Sequence, residues 1–196
     1  MRLKPFQIAL WAAAALAVLV VVYIQVIAPR LKVSVADTIG PGDYALPMTD
    51  GGTFTEDTLK GSPSAVFFGF THCPEVCPTT LGDVATWQEQ LAEDGDQLRV
   101  FFVTVDPERD TAPILKEYVS WAPGVTGVTG TPEEVNEAIK AFRIYARKVP
   151  LEGGDYTMDH SASVLLFDRN GRLFEPVGYQ EDTERVMDKL HRLFDS

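Results

Sequence analysis

Cysteine is scarce in this chain: its 196 residues include two, Cys73 and Cys77. That scarcity excludes a scaffold stapled by several disulfides and a structural zinc site built from four thiolates. Histidine is almost as rare, with His72, His160 and His191 the three examples. Basic charge is short as well, 17 Lys and Arg standing against 28 Asp and Glu. The first 32 residues hold four of the basic side chains and none of the acidic ones, so the remainder sets 13 against 28, a formal charge of −15. Such a surface disfavours nucleic acid and anionic lipid, keeps the domain soluble, and can steer a basic partner or a metal cation toward it.

Charge is missing altogether from residues 6 to 28, FQIALWAAAALAVLVVVYIQVIA. As a helix at about 1.5 Å per residue, a stretch of that length crosses roughly 30 Å of hydrocarbon. The alanines lie mid-run and the run ends in Pro29-Arg30 rather than in an A-x-A site, which favours an uncleaved transmembrane anchor over a signal peptide. Residues 1–5 are then a cytoplasmic end. Residues 29–43, with Gly40-Pro41-Gly42 and no periodicity, read as a tether, and residues 44–196 as one folded domain with enough apolar residues for a core.

Within that domain, Tyr44–Met48 and Thr53–Thr55 are expected as short strands around a Thr49-Asp50-Gly51-Gly52 turn. Ala65–Phe70 is an unbroken apolar run, as for a buried central strand, and Leu98–Val105 is a second. Helices are expected from Pro78 to about Glu93, from Thr111 to about Trp121 and after Thr131. The last opens with a cap, Pro132 and the capping-box residue Glu134. Residues 146–159 read as a loop with Gly153-Gly154 at its tip. Ser163–Phe167 and Arg172–Val177 read as a hairpin turning at Asp168–Gly171, and Glu181–Phe194 as a final amphipathic helix. The order implies a mixed α/β sheet flanked by helices.

The chemistry concentrates where the first long strand meets the first long helix. Cys73 and Cys77 bracket three residues, a loop too short for a disulfide to remove much denatured-chain entropy, so a redox or metal role is favoured over a structural one. At a helix N-terminus the spacing i, i+4 sets both sulfurs on one face, and the terminal N–H groups should make both cysteines more acidic than a free thiol. Two thiolates suit Cu(I), and an added imidazole makes a site for either copper oxidation state. His72 follows Thr71 directly into Cys73, and adjacent extended residues diverge, so it is a poor third ligand. His191 reads as a surface residue. His160, 83 residues after Cys77, is the remaining candidate, and spacing alone does not bring it to the cysteines.

GFTHCPEVCP, VDPERDT at 105–111 and DHSASVLLFD at 159–168 together resemble the Sco (SenC) family, in that family's order and over the whole domain. The resemblance implies a thioredoxin-like fold behind one membrane anchor, with Cys73, Cys77 and His160 holding one copper ion, Cu(I) or Cu(II). It implies a metallochaperone in the inner membrane with its domain on the periplasmic or equivalent exported side. Its partner would be the copper-receiving subunit of cytochrome c oxidase or another copper chaperone, and its role the assembly of the CuA site. A second reading is a thiol-disulfide oxidoreductase that uses Cys73 and Cys77 to reduce the cysteines of that subunit. A peroxidase is disfavoured because the proline-threonine-cysteine spacing of peroxiredoxins is absent. Asp159-His160 stands where thioredoxins have a proline, and Asp159 is a candidate acceptor for the His160 ring. VDPERDT reads as a strand exit followed by a helix cap.

Overall fold

Every residue of β3 (Ser64–Gly69) is buried, which requires that both faces of the strand be covered. It is the middle strand of a five-stranded sheet. The sheet also contains β4 (Arg99–Thr104), β5 (Val125–Val128), β8 (Val164–Phe167) and β9 (Leu173–Val177), in the order β5-β4-β3-β8-β9. β4 runs parallel to β3 and β5 parallel to β4, whereas β8 and β9 are antiparallel to their neighbours. The mixed pattern follows from the connections. Helical crossovers produce parallel pairs, and the tight Asp168–Gly171 turn produces an antiparallel one.

The computed structural model describes residues 5–27 and 34–196. They divide into two compact units, one up to Val35 and one from Ala36 to Ser196. In the first, α1 (Pro5–Val22) passes into a π-type turn at Tyr23–Ile27. Its 18 residues rise about 27 Å, and among the described residues no helix is long and apolar enough to cross a membrane. The structure therefore does not show the span expected over residues 6–28, and residues 28–33 lie outside those described. The second unit starts eight residues ahead of the expected Tyr44. The Gly40 N–H donates to the Ala141 carbonyl at 3.0 Å, and Arg172 pairs with Asp37.

Side chains alternate across β3 and so feed two cores. Ala65 and Phe67 face α2 (Val76–Glu93), α3 (Ala112–Val119) and α5 (Thr183–Phe194), through residues such as Leu81, Leu115, Val186 and Leu190. Val66 and Phe68 face α4 (Pro132–Ala141) and the small hairpin of β1 (Leu46–Pro47) and β2 (Thr53–Phe54). The capping box at Thr131 and Glu134 forms as expected. Phe142, just after α4, is 2% exposed and its ring meets those of Tyr44, Phe54, Phe68 and Phe167 at 5.2–6.1 Å.

Two elements depart from the sequence reading. β5 is a strand where none is expected, because its Val-Thr-Gly-Val run is short and carries a glycine. A Cβ at Gly127 would lie 2.8 Å from Leu115 and 2.9 Å from Thr49, so close packing against α3 explains the residue. Residues 146–160 form a further hairpin rather than a loop, made of β6 (Ala146–Pro150) and β7 (Tyr156–His160). The glycine tip is as expected, with Gly153 and Gly154 at φ of 90° and 89°. The hairpin hides in the sequence because no residue of either strand is fully buried, leaving little apolar alternation to read.

Phe142→Ala should cost about 3–5 kcal/mol, the usual loss for an aromatic truncated in a packed core. A shift in the midpoint of chemical denaturation measures it, and an unshifted midpoint would show the cluster to be unimportant.

Candidate metal centre

β3 delivers the chain into a turn at Phe70–Cys73, in which the Cys73 N–H donates to the Phe70 carbonyl at 3.2 Å. The turn is held from behind by Asp110, fully buried, whose carboxylate accepts from the Thr71 N–H at 3.1 Å and the Thr71 hydroxyl at 2.6 Å. The Thr104 hydroxyl donates to the same carboxylate at 2.6 Å. α2 starts at Val76, two residues ahead of the expected Pro78, so Cys77 falls in its first turn, and it is buried. Its N–H donates to the Cys73 sulfur at 3.3 Å, so an otherwise unpaired helix-terminal donor is satisfied by a thiolate.

Gly69 makes this approach possible. A Cβ there would come within 2.7 Å of the Phe102 ring and 2.8 Å of the Cys77 sulfur. The strand therefore ends in the one residue that leaves room for the sulfur.

His160, the last residue of β7, arrives from the other side. Its ring meets the edge of the Phe70 ring at 5.7 Å and 88°. Its Nδ1 lies 2.9 Å from the Ser161 carbonyl, and a proton donated there leaves Nε2 with a free lone pair. The ligand atoms of Cys73, Cys77 and His160 all lie within 4.8 Å of one another, and among the described residues they are the one group of three or more Cys, His, Asp and Glu side chains so placed. Two sulfurs and one imidazole fit copper in either oxidation state and do not close a tetrahedral zinc site.

The other candidates fall away from the centre. His72 is exposed, with Nδ1 3.1 Å from the Thr71 hydroxyl, and His191 pairs with Asp94 at 3.3 Å on the surface. Asp159 is half exposed and faces Arg147 at 3.8 Å, so the acceptor for the His160 ring is a backbone carbonyl and not this carboxylate. No sequence signal marks a carbonyl. Thr71, Asp110 and Phe70 are the supporting residues that sequence reasoning missed, and the VDPERDT motif was the available pointer to Asp110.

The two sulfurs are not equivalent, against the expectation that both would be acidic. The Cys77 S–H donates to Cys73 and is the largest influence drawing the Cys73 thiol down to about 4, with His160 and the Cys77 and Glu75 backbone adding to it against partial burial. Cys77 moves the other way: giving its proton to Cys73 and burial both push its thiol up, past the ordinary value of 9.0. Helix-terminal N–H groups of Glu75 and Cys77 act on Cys73, whereas Cys77 accepts from the Phe70 backbone instead and keeps its proton. The resting pair is one half-exposed thiolate and one buried thiol.

Residues 34–195 match the SCO1/SenC family profile. The chain belongs to the SCO1/SenC family. Among its relatives is the mitochondrial protein SCO1 of Saccharomyces cerevisiae, 37% identical over 153 residues that make up 76% of this chain and 52% of the yeast protein. The chain thus spans about half the length of that SCO1 relative. The Bradyrhizobium japonicum ScoI structure with copper bound superposes with a TM-score of 0.70 at 40% identity, over 78% of this chain and 99% of that one. Copper-bound yeast Sco1 gives 0.72 at 36% identity, over 80% and 89%. These likenesses confirm the thioredoxin-like fold expected of a SCO1/SenC protein.

Two tests address the site. Gly69→Ala should destabilise the fold by about 1–3 kcal/mol through overpacking, read by urea denaturation; an unchanged midpoint would mean that the Cys77 sulfur has room to move. Alkylation of Cys73 by iodoacetamide in the reduced protein should follow a thiolate fraction with its midpoint near pH 4 rather than 9.0. Between those values the unfolded chain binds the extra proton. The stability contributed by Cys73 is therefore complete above pH 9.0 and is lost as pH falls through about 4. Cys77 is protonated in both states over that window and adds nothing. A reactivity midpoint near 9 would refute the assignment of Cys73 as the thiolate.

Proposed function

We propose that this chain is a copper chaperone in which Cys73, Cys77 and His160 hold the ion as cargo, for delivery during assembly of the CuA site of cytochrome c oxidase. The observation that carries the reading is the convergence of these three side chains from two segments 83 residues apart. Copper-bound relatives of the same fold support it. Cys73 already offers a thiolate. Cys77 gives up its proton when it becomes a ligand, and His160 offers Nε2 while its other nitrogen is held by Ser161.

The uncharged run at residues 6–28 serves in this reading as a single-pass anchor in the inner membrane, and the residues between it and Ala36 as the link to a domain on the periplasmic or equivalent exported side. The acidic surface of that domain suits a basic recipient, either the copper-receiving subunit or another copper chaperone.

The inequality of the sulfurs favours a second reading, reduction of a disulfide in the copper-receiving subunit. The Cys73 thiolate attacks one partner sulfur, the partner S–S bond breaks and its other sulfur leaves as a thiolate. Cys77, on losing its proton, then attacks the Cys73 sulfur and releases the partner's second thiolate, so the partner gains two electrons and this chain ends as a Cys73–Cys77 disulfide.

Titration of the reduced protein with copper separates the two. As a chaperone, His160→Ala should weaken Cu(II) binding by roughly 10–100-fold and alter the sulfur-to-copper absorption. Unchanged affinity and spectrum would sink the three-ligand site. If His160→Ala supports oxidase assembly as well as the parent while Cys73→Ser does not, the reductase reading stands instead.

A further inference from the structure

The VDPERDT stretch is not consumed by the reading of 106–111 as a strand exit and helix cap. α3 is capped at Thr111 without any side-chain cap bond, so the polar side chains just before it are committed elsewhere. Asp110 reaches the cysteine turn, as described above. Asp106 and Arg109 reach the hairpin that carries His160. The Tyr156 hydroxyl donates to Asp106 at 2.8 Å. Arg109 binds Asp106 through Nε, and donates through Nη1 to the Tyr156 carbonyl at 3.0 Å and to Asp155 at 3.3 Å. The guanidinium also lies 3.8 Å from the centre of the Tyr156 ring, and the Lys148 ammonium 3.7 Å from it while bonded to Glu108 at 2.8 Å.

This hairpin has little else to hold it. It pairs with no strand of the central sheet, and none of its strand residues is fully buried. An element with so few buried apolar contacts sits at the low-stability end of a fold, and its position is set by its polar contacts. Tyr156 and His160 are four residues apart on β7, hence on the same face, about 13 Å from one another. Met158 lies between them on that face and packs against the α4 side of the core. A short strand pinned at Tyr156 and leaning on Met158 has one direction in which to present His160.

We propose that Arg109 and Tyr156 are positioning residues: by clamping the hairpin to the Asp106 loop they hold His160 at the cysteines, and so set how strongly the site prefers Cu(II) to Cu(I). The inference rests on the copper reading above. Its chemical basis is that two thiolates suffice for Cu(I), whereas Cu(II) gains most from the imidazole. Asp106 is 3% exposed and the Arg109 side chain 18%, so their pair is shielded from solvent, and its attachment to Tyr156 persists in salt better than a surface pair would.

The test uses the full chain, reduced, in four forms: parent, Tyr156→Phe, Arg109→Lys and His160→Ala. Each is titrated with Cu(I) against a chromophoric chelator and with Cu(II) by absorption, and hydrogen exchange of the β6–β7 amides is followed without metal. Tyr156→Phe and Arg109→Lys should weaken Cu(II) binding by about 10–100-fold, shift its absorption toward that of His160→Ala, leave Cu(I) affinity within about twofold, and speed exchange in the hairpin. Tyr156→Phe removes a single hydroxyl and should keep the parental melting temperature, which guards against a folding defect in the arginine variant. Equal losses for both oxidation states, or unchanged Cu(II) binding in Tyr156→Phe, would overturn the clamp. Unchanged Cu(II) binding in His160→Ala would instead overturn the three-ligand reading beneath it.

Discussion

The Asp110 carboxylate is fully buried and can remain there only because hydroxyl and amide donors surround it. Burial raises its pKa, and the bonds from Thr104 and Thr71 act in the opposite direction. The bonds that satisfy it also fasten the cysteine turn to the end of β4, so the position of Cys73 depends on the desolvation of a group 37 residues away. Neighbouring Asp106 is nearly as buried and turns to the histidine hairpin instead. One short loop between β4 and α3 therefore joins two segments that have no strand pairing with each other.

The sulfur pair shows how the direction of one shared hydrogen bond, reinforced by unequal burial, separates two groups placed at the same helix start. Both cysteines sit near the first turn of α2, where exposed N–H groups favour a thiolate. Cys73 is half-buried and accepts hydrogen bonds, while Cys77 is enclosed and donates one. The result is a stored proton next to a formed thiolate. Such a pair accepts a soft cation with the loss of one proton rather than two, and equally suits attack by one sulfur followed by resolution through the other.

Much of the fold was legible because its elements obey strong local rules. The capping box of α4, the Asp168–Gly171 turn and the amphipathic pattern of α5 each fixed an element from a few residues. β5 escaped because Gly127 is there for packing against Leu115, a tertiary reason that no propensity contains. The β6–β7 hairpin escaped because it is held chiefly by Asp106, Glu108 and Arg109 rather than by a fully buried apolar face. At the site, Cys73 and Cys77 announced themselves by their spacing, but His160 was reachable only through resemblance, since 83 residues separate it from Cys77. The helix cap read in VDPERDT falls on Thr111, while Asp110 turns to Thr71 and Thr104. Asp159, considered for the His160 ring, faces Arg147 instead: a carboxylate with a plausible local partner in sequence has a different one in space.

The enclosure of Cys77 also dictates a direction of traffic. With no accessible surface at that sulfur, an incoming ligand from another protein meets His160 or half-exposed Cys73 first. Exchange of a bound ion then proceeds from the rim inward, with Cys77 the first contact shielded and the last one broken. Under the proposed chaperone reading this makes the site a one-ended socket, whose deepest bond would retain the cargo until a receiving protein had taken hold of it.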